Sequence, residues 1–457
     1  MASHPTASSS EPLHHRSVWR LAWPIMVSML SYSAMSVVDT LFVGQLGTEP
    51  LAAVGVAACL VHLSAAFPNG LLGGVRVRVA HAVGQGRLAT ARRVAWQGLW
   101  LALAMGVVVA ALAPLAAAGL PLLGASPEVA DLGSDYVLIR VLGAPVLFLS
   151  TALTAWFQGR GQTRVPMVAN VVGNAVNVAL DPLFIFGLGP VPAMGVGGAA
   201  LATVLGMGVG VVVLAVAAWR PVLRRPHGPS GAVVRAVARV GAPQGVQYTL
   251  DVGSFTVFAA LLAHAGDVHL AAHVVVVRII LVTFLPCLAL GQAAGVLVGQ
   301  ALGAGRPGRA RRAVRLAAAQ GVGIMAVMAV VFVAVPDLLT GVFGAEPAVQ
   351  ALARQVLLLY AAVQVFDALA VVGLGALGGA GDTRFVLWLS VGMAWLVKLP
   401  VAWWLSVGLD MGVVGAWGGL ATELLCLTAV VWVRLSGRSW LEQLEPEHAE
   451  GTPSLAG

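Results

Sequence analysis

The sequence predicts an all-α polytopic membrane protein. Twelve transmembrane helices form two six-helix lobes, parallel repeats related by a pseudo-twofold axis along the membrane normal. Three observations lead there. First, 59% of the 457 residues are hydrophobic and only 10% are charged, with mean hydropathy +0.90. A soluble protein carries about 25% charged residues, so this chain lacks the charge to cover a water-facing surface. Second, the apolar excess runs along nearly the whole chain, with room for roughly ten to thirteen spans. Third, the second half repeats the first. Soluble enzymes, nucleic-acid binders and disordered scaffolds are excluded.

Gly, Pro and charge punctuate the chain into spans at 21–45, 51–83, 94–119, 128–157, 165–187, 196–219, 232–264, 268–302, 313–341, 347–377, 384–407 and 413–435. The N-terminal tail, 1–20, holds Ser8-Ser9-Ser10 and His14-His15-Arg16 and lacks the apolar core and cleavage site of a signal peptide. The first apolar run, from Leu21, therefore stays as a helix. Residues 21–219 make the N-lobe, 220–231 a basic linker, 232–435 the C-lobe and 436–457 a C-terminal tail.

Of the 26 basic residues 25 are Arg, clustered in alternate connections: Arg87, Arg92 and Arg93; Arg160 and Arg164; Arg220, Arg224 and Arg225; Arg306, Arg309, Arg311 and Arg312; Arg384. The intervening connections have no Lys or Arg and hold Glu49, Glu128, Asp267, Glu346 and Asp410. The positive-inside rule then places both termini in the cytoplasm of a cell whose plasma membrane the chain spans. A missed or invented helix would scramble this alternation. Trp19, Trp219, Trp432 and Trp440 fall near the same boundaries and read as interfacial anchors.

Residues 51–93 align without a gap to 270–312. Leu51-Ala52-Ala53 falls on Leu270-Ala271-Ala272, and Gly84-Gln85-Gly86-Arg87 on Gly303-Ala304-Gly305-Arg306. Gly159-Arg160-Gly161-Gln162-Thr163-Arg164 answers Gly379-Ala380-Gly381-Asp382-Thr383-Arg384. An even helix number per half gives both copies the same polarity. Such pairs of lobes commonly hold a substrate between them and rock to expose it to either side.

An ionised acid facing lipid at mid-span costs about 2.5–3.5 kcal/mol on insertion scales, so intramembrane acids are functional candidates. At about 1.5 Å rise per residue, Asp39 lies roughly 28 Å beyond Arg20 and Asp181 roughly 25 Å beyond Arg164. The two share a level in the outer half of the N-lobe. Asn170, Asn174, Asn177 and Asp181 lie on one helix face, which reads as a cation or proton site rather than as amides tying helices together. In the C-lobe, Asp251 shares a face with Gln244, Gln247 and Tyr248, and Asp367 follows Tyr360 and Gln364. Their depths, roughly 18 and 16 Å, would let Asp251 and Asp367 meet near the midplane. Glu423 lies at similar depth. Gln247, Tyr248 and Gln364 are candidates for a substrate cleft.

Arg140 and Arg354, toward outer ends, and Arg76 and Arg78, at the inner end of the second span, are expected to snorkel. Lys398 and Arg278 lie deeper, where they would balance C-lobe acids. His62, His81 and His273 show no ligand spacing, and Cys59, Cys287 and Cys426 no CxxC pattern. No metal, cofactor or disulfide is expected. No catalytic motif appears, so no enzymatic activity is expected, and no phosphate loop, so no ATP drive and no ATPase subunit. An ion gradient, H⁺ or Na⁺, would supply the energy to a monomer whose partners are a small-molecule substrate and the lipid bilayer, with no nucleic acid.

The chain resembles the multidrug and toxic compound extrusion (MATE) family of cation-coupled exporters. Carrying stretches are Pro24–Gly47, Leu51–Gly55 (LAAVG), Gln158–Pro166 (QGRGQTRVP), Asn174–Phe186 (NAVNVALDPLFIF) and Gly197–Thr203 (GGAALAT). In the second half they are Gly241–Asp251 (GAPQGVQYTLD), Leu270–His273 (LAAH) and Gly379–Arg384 (GAGDTR). The resemblance implies a central cleft opening alternately to either side. It also implies export of bulky, often cationic and amphipathic compounds in exchange for H⁺ or Na⁺. It places Asp39 on the family's first-helix acid, Asp181 with Asn177 on its fifth-helix ion site, and Thr203 on the sixth-helix hydroxyl. Asp251 and Asp367 fall where one subfamily has acids of the other lobe. Carrying both sets is a departure that leaves the coupling ion and coupling lobe open, and Gln162, in place of an acid, is a second departure. Rival readings are a lipid-linked oligosaccharide flippase, expected to have a more cationic cleft and extra helices, a porter of the other large twelve-helix superfamily, and a non-transporting receptor or scaffold.

Overall fold

The computed structural model describes residues 13–123, 126–187, 191–344 and 346–443. Most of both tails lies outside them. Among the described residues, eleven helices are long and apolar enough to cross a membrane, and one bent pair makes a twelfth span. In order they are α1 (His15–Gly44), α2 (Thr48–Gly84), α3 (Leu88–Ala111), α4 (Pro127–Leu142 with Ala144–Gly159), α5 (Arg164–Ile185), α6 (Gly195–Ala218), α7 (Gly231–Ala265), α8 (Asp267–Gly303), α9 (Pro307–Ala334), α10 (Pro347–Ala380), α11 (Thr383–Gly408) and α12 (Gly412–Ser436).

Several helices run beyond their apolar stretch, α2 and α8 to 37 residues each. Continuing a helix satisfies backbone groups that water or lipid would otherwise have to meet. Proline decides the breaks. The third span, expected to reach 119, ends at Ala111, and a short helix, Ala113–Ala118, follows with Pro114 in its first turn. The ninth stops at Ala334 before Pro336, and α4 bends by 45° at Gly143, ahead of Pro145. These are positions where the ring removes a hydrogen bond and crowds the preceding turn. In α11 a wide π-helical turn, Met393–Lys398, precedes Pro400 and re-aims Lys398 inward.

The outer surface is apolar, with Leu115, Val216, Val330, Trp388 and Leu396 each more than 60% exposed. Only lipid accommodates such a surface. The chain is a multi-pass membrane protein. Each lobe holds two stacked apolar clusters, one near the side bearing the termini (the terminal side) and one near the opposite (far) side. Trp19 and Trp219 are exposed as expected of anchors, whereas Trp440 is fully buried, its Nε1 donating to the Leu435 carbonyl.

The lobes exchange helix ends. The terminal half of α1, through Val18, Ala22, Ile25 and Met26, beds in the second-lobe cluster with Leu290, Ala294, Ala310 and Ala317. Its far half, through Val43, packs with Ile185, Val196 and Ala199 of the first lobe. Symmetrically, Val237 of α7 lies in the first-lobe cluster with Leu72, Val75 and Val94. Pro24 in α1 and Pro243 in α7 stand at the repeat offset, each in the terminal half of its helix.

The lobes meet on the terminal side. Gly70 and Gly74 of α2 face Gly245 and Gly241 of α7 so closely that a Cβ on Gly74 would lie 2.6 Å from the Val237 carbonyl oxygen. Only glycine permits this approach. Gln300 donates to the Gly159 carbonyl at 2.9 Å and His81 reaches the Gly379 carbonyl at 3.1 Å, extending the seam.

Candidate functional site

Inside the first lobe, α1, α5 and α6 bring Asp39, Asn177, Asp181 and Thr203 together, all buried. The Asp39 and Asp181 carboxyls lie within hydrogen-bonding reach of each other. Asn177 Nδ2 donates to Asp181 Oδ1 at 3.3 Å. The Thr203 hydroxyl donates to the Ala199 carbonyl at 2.8 Å and stands 3.3 Å from Asp39 Oδ2. Asp39 Oδ1, Asn177 Oδ1 and Asp181 Oδ2 are buried and take no hydrogen bond among the described residues. Adjacent buried carboxyls repel unless a proton or cation sits between them. Arg140 supplies one positive charge nearby, beside Tyr32, Tyr136 and Asp39, with its Nε and Nη1 buried and unpartnered among the described residues. Two acids and one guanidinium leave one negative charge, which a single H⁺ or Na⁺ would cancel.

The second lobe holds a different arrangement. Lys398, almost fully buried, donates to Ser254 Oγ at 3.0 Å, pairs with Glu423 at 3.7 Å and lies 4.3 Å from the Phe255 ring centre. Gln247 reaches Asp251 at 3.4 Å and Ser390 at 3.3 Å. Asp367 accepts the Tyr360 hydroxyl at 2.5 Å. Here each acid has a partner of its own, Lys398 for Glu423, Gln247 for Asp251 and the Tyr360 hydroxyl for Asp367.

Between the lobes lies a cleft of about 610 Å³. Apolar side chains such as Met29, Met207 and Leu285 alternate on its walls with hydroxyls and amides, among them Ser36, Thr151 and Asn69. At its floor Arg76 donates through Nη1 to Gln158 Oε1 at 3.2 Å and Gln292 Oε1 at 3.0 Å, linking α2, α4 and α8.

The MatE family model matches residues 24–183 and 243–404, one stretch in each half. The chain belongs to the MatE family. It is 31% identical over 435 residues to a probable multidrug resistance protein NorM of Pseudomonas aeruginosa, covering 92% of this chain and 88% of that protein. It is 32% identical over 431 residues to a NorM protein of Deinococcus radiodurans, covering 92% and 94%. A solved structure described as the outward-facing conformation of a multidrug resistance MATE family transporter superposes with TM-score 0.87 at 23% identity, over 94% of this chain and 97% of that one. That likeness shows the fold.

Within the MatE frame, the residues singled out from sequence separate into groups. Asn170 and Asn174 are bonded to Ser28 and Ser31 of α1, Asn174 at 2.6 Å, and line the cleft wall. Asn177 and Asp181, on the same face one and two turns on, lie inside the lobe. Of the three cleft candidates Tyr248 lines the cleft. Gln364 is buried against Thr283 and Met325, and Gln247 turns toward Asp251. Asp251 and Asp367 do not pair. Asp251 faces Lys398, Asp367 is held by Tyr360 on its own helix, and Glu423 is flanked by both acids. Like charges separate when a buried cation is within reach of one of them. Arg354 is exposed and paired with Asp337, as a snorkelling side chain can be. Arg76 and Arg140 instead turn inward. The depth count that picks out the acids picks out Arg76 too, about 12 Å inside the end of α2.

Proposed function

We propose that this MatE protein is a secondary active multidrug exporter of the plasma membrane, with both termini in the cytoplasm. It moves bulky amphipathic compounds outward in exchange for H⁺ or Na⁺. The observation that carries the reading is the pair Asp39 and Asp181, side by side inside the first lobe, where one oxygen of each and that of Asn177 accept no hydrogen bond among the described residues. Names of the relatives support drug efflux, and the joined terminal side with a cleft between the lobes supports alternating access. The state so described is the outward-facing one.

In this reading an ion entering from outside cancels the residual charge of the Asp39, Asp181 and Arg140 cluster. Asn177 and Thr203 hold the carboxyls in register. Since α1 carries Asp39 in one lobe and beds its other end in the second, neutralisation bears on a helix that spans both. Exchange requires that ion and drug favour different states. The second-lobe acids, each held by a partner (Gln247 for Asp251, Tyr360 for Asp367, Lys398 for Glu423), are assigned to holding α7, α10, α11 and α12 rather than to coupling. The cycle uses no cofactor beyond the ion, no ATPase subunit and one monomer in the bilayer.

Proteoliposomes given a pH or sodium gradient, with a fluorescent amphipathic dye, test this. Asp39→Asn and Asp181→Asn should each abolish gradient-driven dye movement while the protein remains folded in the membrane. Full activity of both variants overturns first-lobe coupling. A lipid-linked oligosaccharide flippase is the second reading, favoured by Arg76 in a cleft that no acid lines.

A further inference from the structure

The cleft contains a charge that no acid among the described residues answers. Its lining includes Arg76 and no Asp or Glu. Arg76 makes no ion pair among the described residues. Its contacts there are the two amide oxygens of Gln158 and Gln292, with Tyr248 nearby. A guanidinium held inside a membrane bundle is costly without a counter-anion, and such charges mark substrate pathways. An amide oxygen carries only a partial charge. The two Gln side chains therefore orient the guanidinium, one amide from each lobe, without neutralising it.

The same sign recurs along the route. On α8, Arg278 shares the helix face of Leu281, Leu285 and Gln292, the residues by which that helix lines the cleft, and so stands toward its far mouth. On the terminal side, a second cavity of about 950 Å³ begins beside Gln158, at the neighbouring Phe157 and Arg160. It is lined by Arg20, Arg160, Arg164, Arg220 and Arg309, again with no acid. A bulky organic cation would meet positive charge at the entry, the floor and the mouth, and no carboxylate among the described residues that line either cavity.

Resting on the exporter reading above, we infer that the cleft selects amphipathic organic anions, or zwitterions presenting a carboxylate, sulfonate or phosphate, with that group seated on Arg76. The planar guanidinium suits such oxygens, the amides and hydroxyls of the walls serve polar substituents, and Met29, Met207 and Leu285 receive the apolar body. The cationic substrate expected from family resemblance finds no counter-charge in this cleft. The anion is a soluble compound rather than a lipid headgroup.

The test uses two dyes on one xanthene ring system, carboxyfluorescein (anionic) and rhodamine 6G (cationic), with binding read by fluorescence anisotropy on the full chain in nanodiscs. Carboxyfluorescein should bind at least about tenfold tighter than rhodamine 6G. Arg76→Gln should erase that preference by weakening the anion about tenfold or more, and Arg76→Lys, which keeps the charge, should restore most of it. Tighter binding of rhodamine 6G, or equal loss of both dyes in Arg76→Gln without recovery in Arg76→Lys, overturns the assignment. So does displacement of carboxyfluorescein by an equal concentration of short-chain phosphatidylglycerol, which points to a lipid substrate. A failed exporter reading looks different. The Arg76-dependent preference persists, but neither dye moves under an imposed pH or sodium gradient.

Discussion

The glycine seam on the terminal side gives the sharpest prediction about conformation. Gly70 and Gly74 cross Gly245 and Gly241, and the nearest group a new Cβ would meet at each is main chain. A Cβ on Gly74 falls 2.6 Å from the Val237 carbonyl oxygen, and one on Gly245 falls 2.6 Å from that of Phe67. Backbone cannot rotate away as a side-chain tip can, so the strain is relieved by moving the helices apart. The terminal end of α7 is the second lobe's attachment to the first, through Val237 beside Leu72 and Val75 of α2, so parting the two helices loosens that attachment and opens the terminal side. Overpacking typically costs about 1–3 kcal/mol. Placed wholly on one of two states, that shifts their ratio by about 5- to 150-fold. Gly74→Val should therefore drive the protein toward the state open on the terminal side. Cys59 is an exposed native reporter on the far half of α2, one turn from the cleft-lining His62. Its labelling by a membrane-impermeant maleimide should slow by a similar factor, while a cysteine introduced at Gln300 should label faster. Cys59 labelling at the parental rate, in a variant that elutes and melts like the parent, would refute the reasoning.

Two further predictions concern charges. Lys398→Met leaves Glu423 and Asp251 without their counter-cation, which should cost roughly 3–5 kcal/mol, the usual loss when one partner of a buried pair is removed. The double variant Lys398→Met with Glu423→Gln should recover most of it. Thermal unfolding in detergent reads both, and a double variant as unstable as the single one would show that Lys398 acts by packing alone. Asp382 accepts both Nε and Nη2 of Arg434 at 2.9 Å, tying the start of α11 to α12. Asp382→Ala should lower stability by about 1–3 kcal/mol, below the range for fully buried pairs because Arg434 is 26% exposed. An unchanged melting midpoint would mean that the pair is ornamental. The first-lobe counterpart of Asp382 is Gln162, so Gln162→Ala is expected to leave the midpoint nearly unmoved.

Much of this protein was legible in the linear order of its residues. The length of an apolar run against the thickness of a bilayer determines the spans, and the alternation of Arg-rich and acid-bearing connections makes their number even. The repeat assigns them to two lobes of one polarity. Because a helix rises by a constant step, counting residues from the nearest basic loop also put Asp39 and Asp181 at one level. Those features depend on local geometry that every helix shares. Tertiary structure decided what each face meets. One stripe on α5 divides between the cleft wall and the lobe interior because α1 sets Ser28 and Ser31 against Asn170 and Asn174, and Asp39 against Asp181. Gln364 ends among Thr283 and Met325 because α8 and α9 close over it. Arg76 and Arg140, each long enough to reach out to water, turn inward because amides from two lobes or a pair of acids lie within reach. Periodicity defines a face, but the neighbour that covers it comes from a segment far away in the chain, and the energy of a buried charge depends on that neighbour alone.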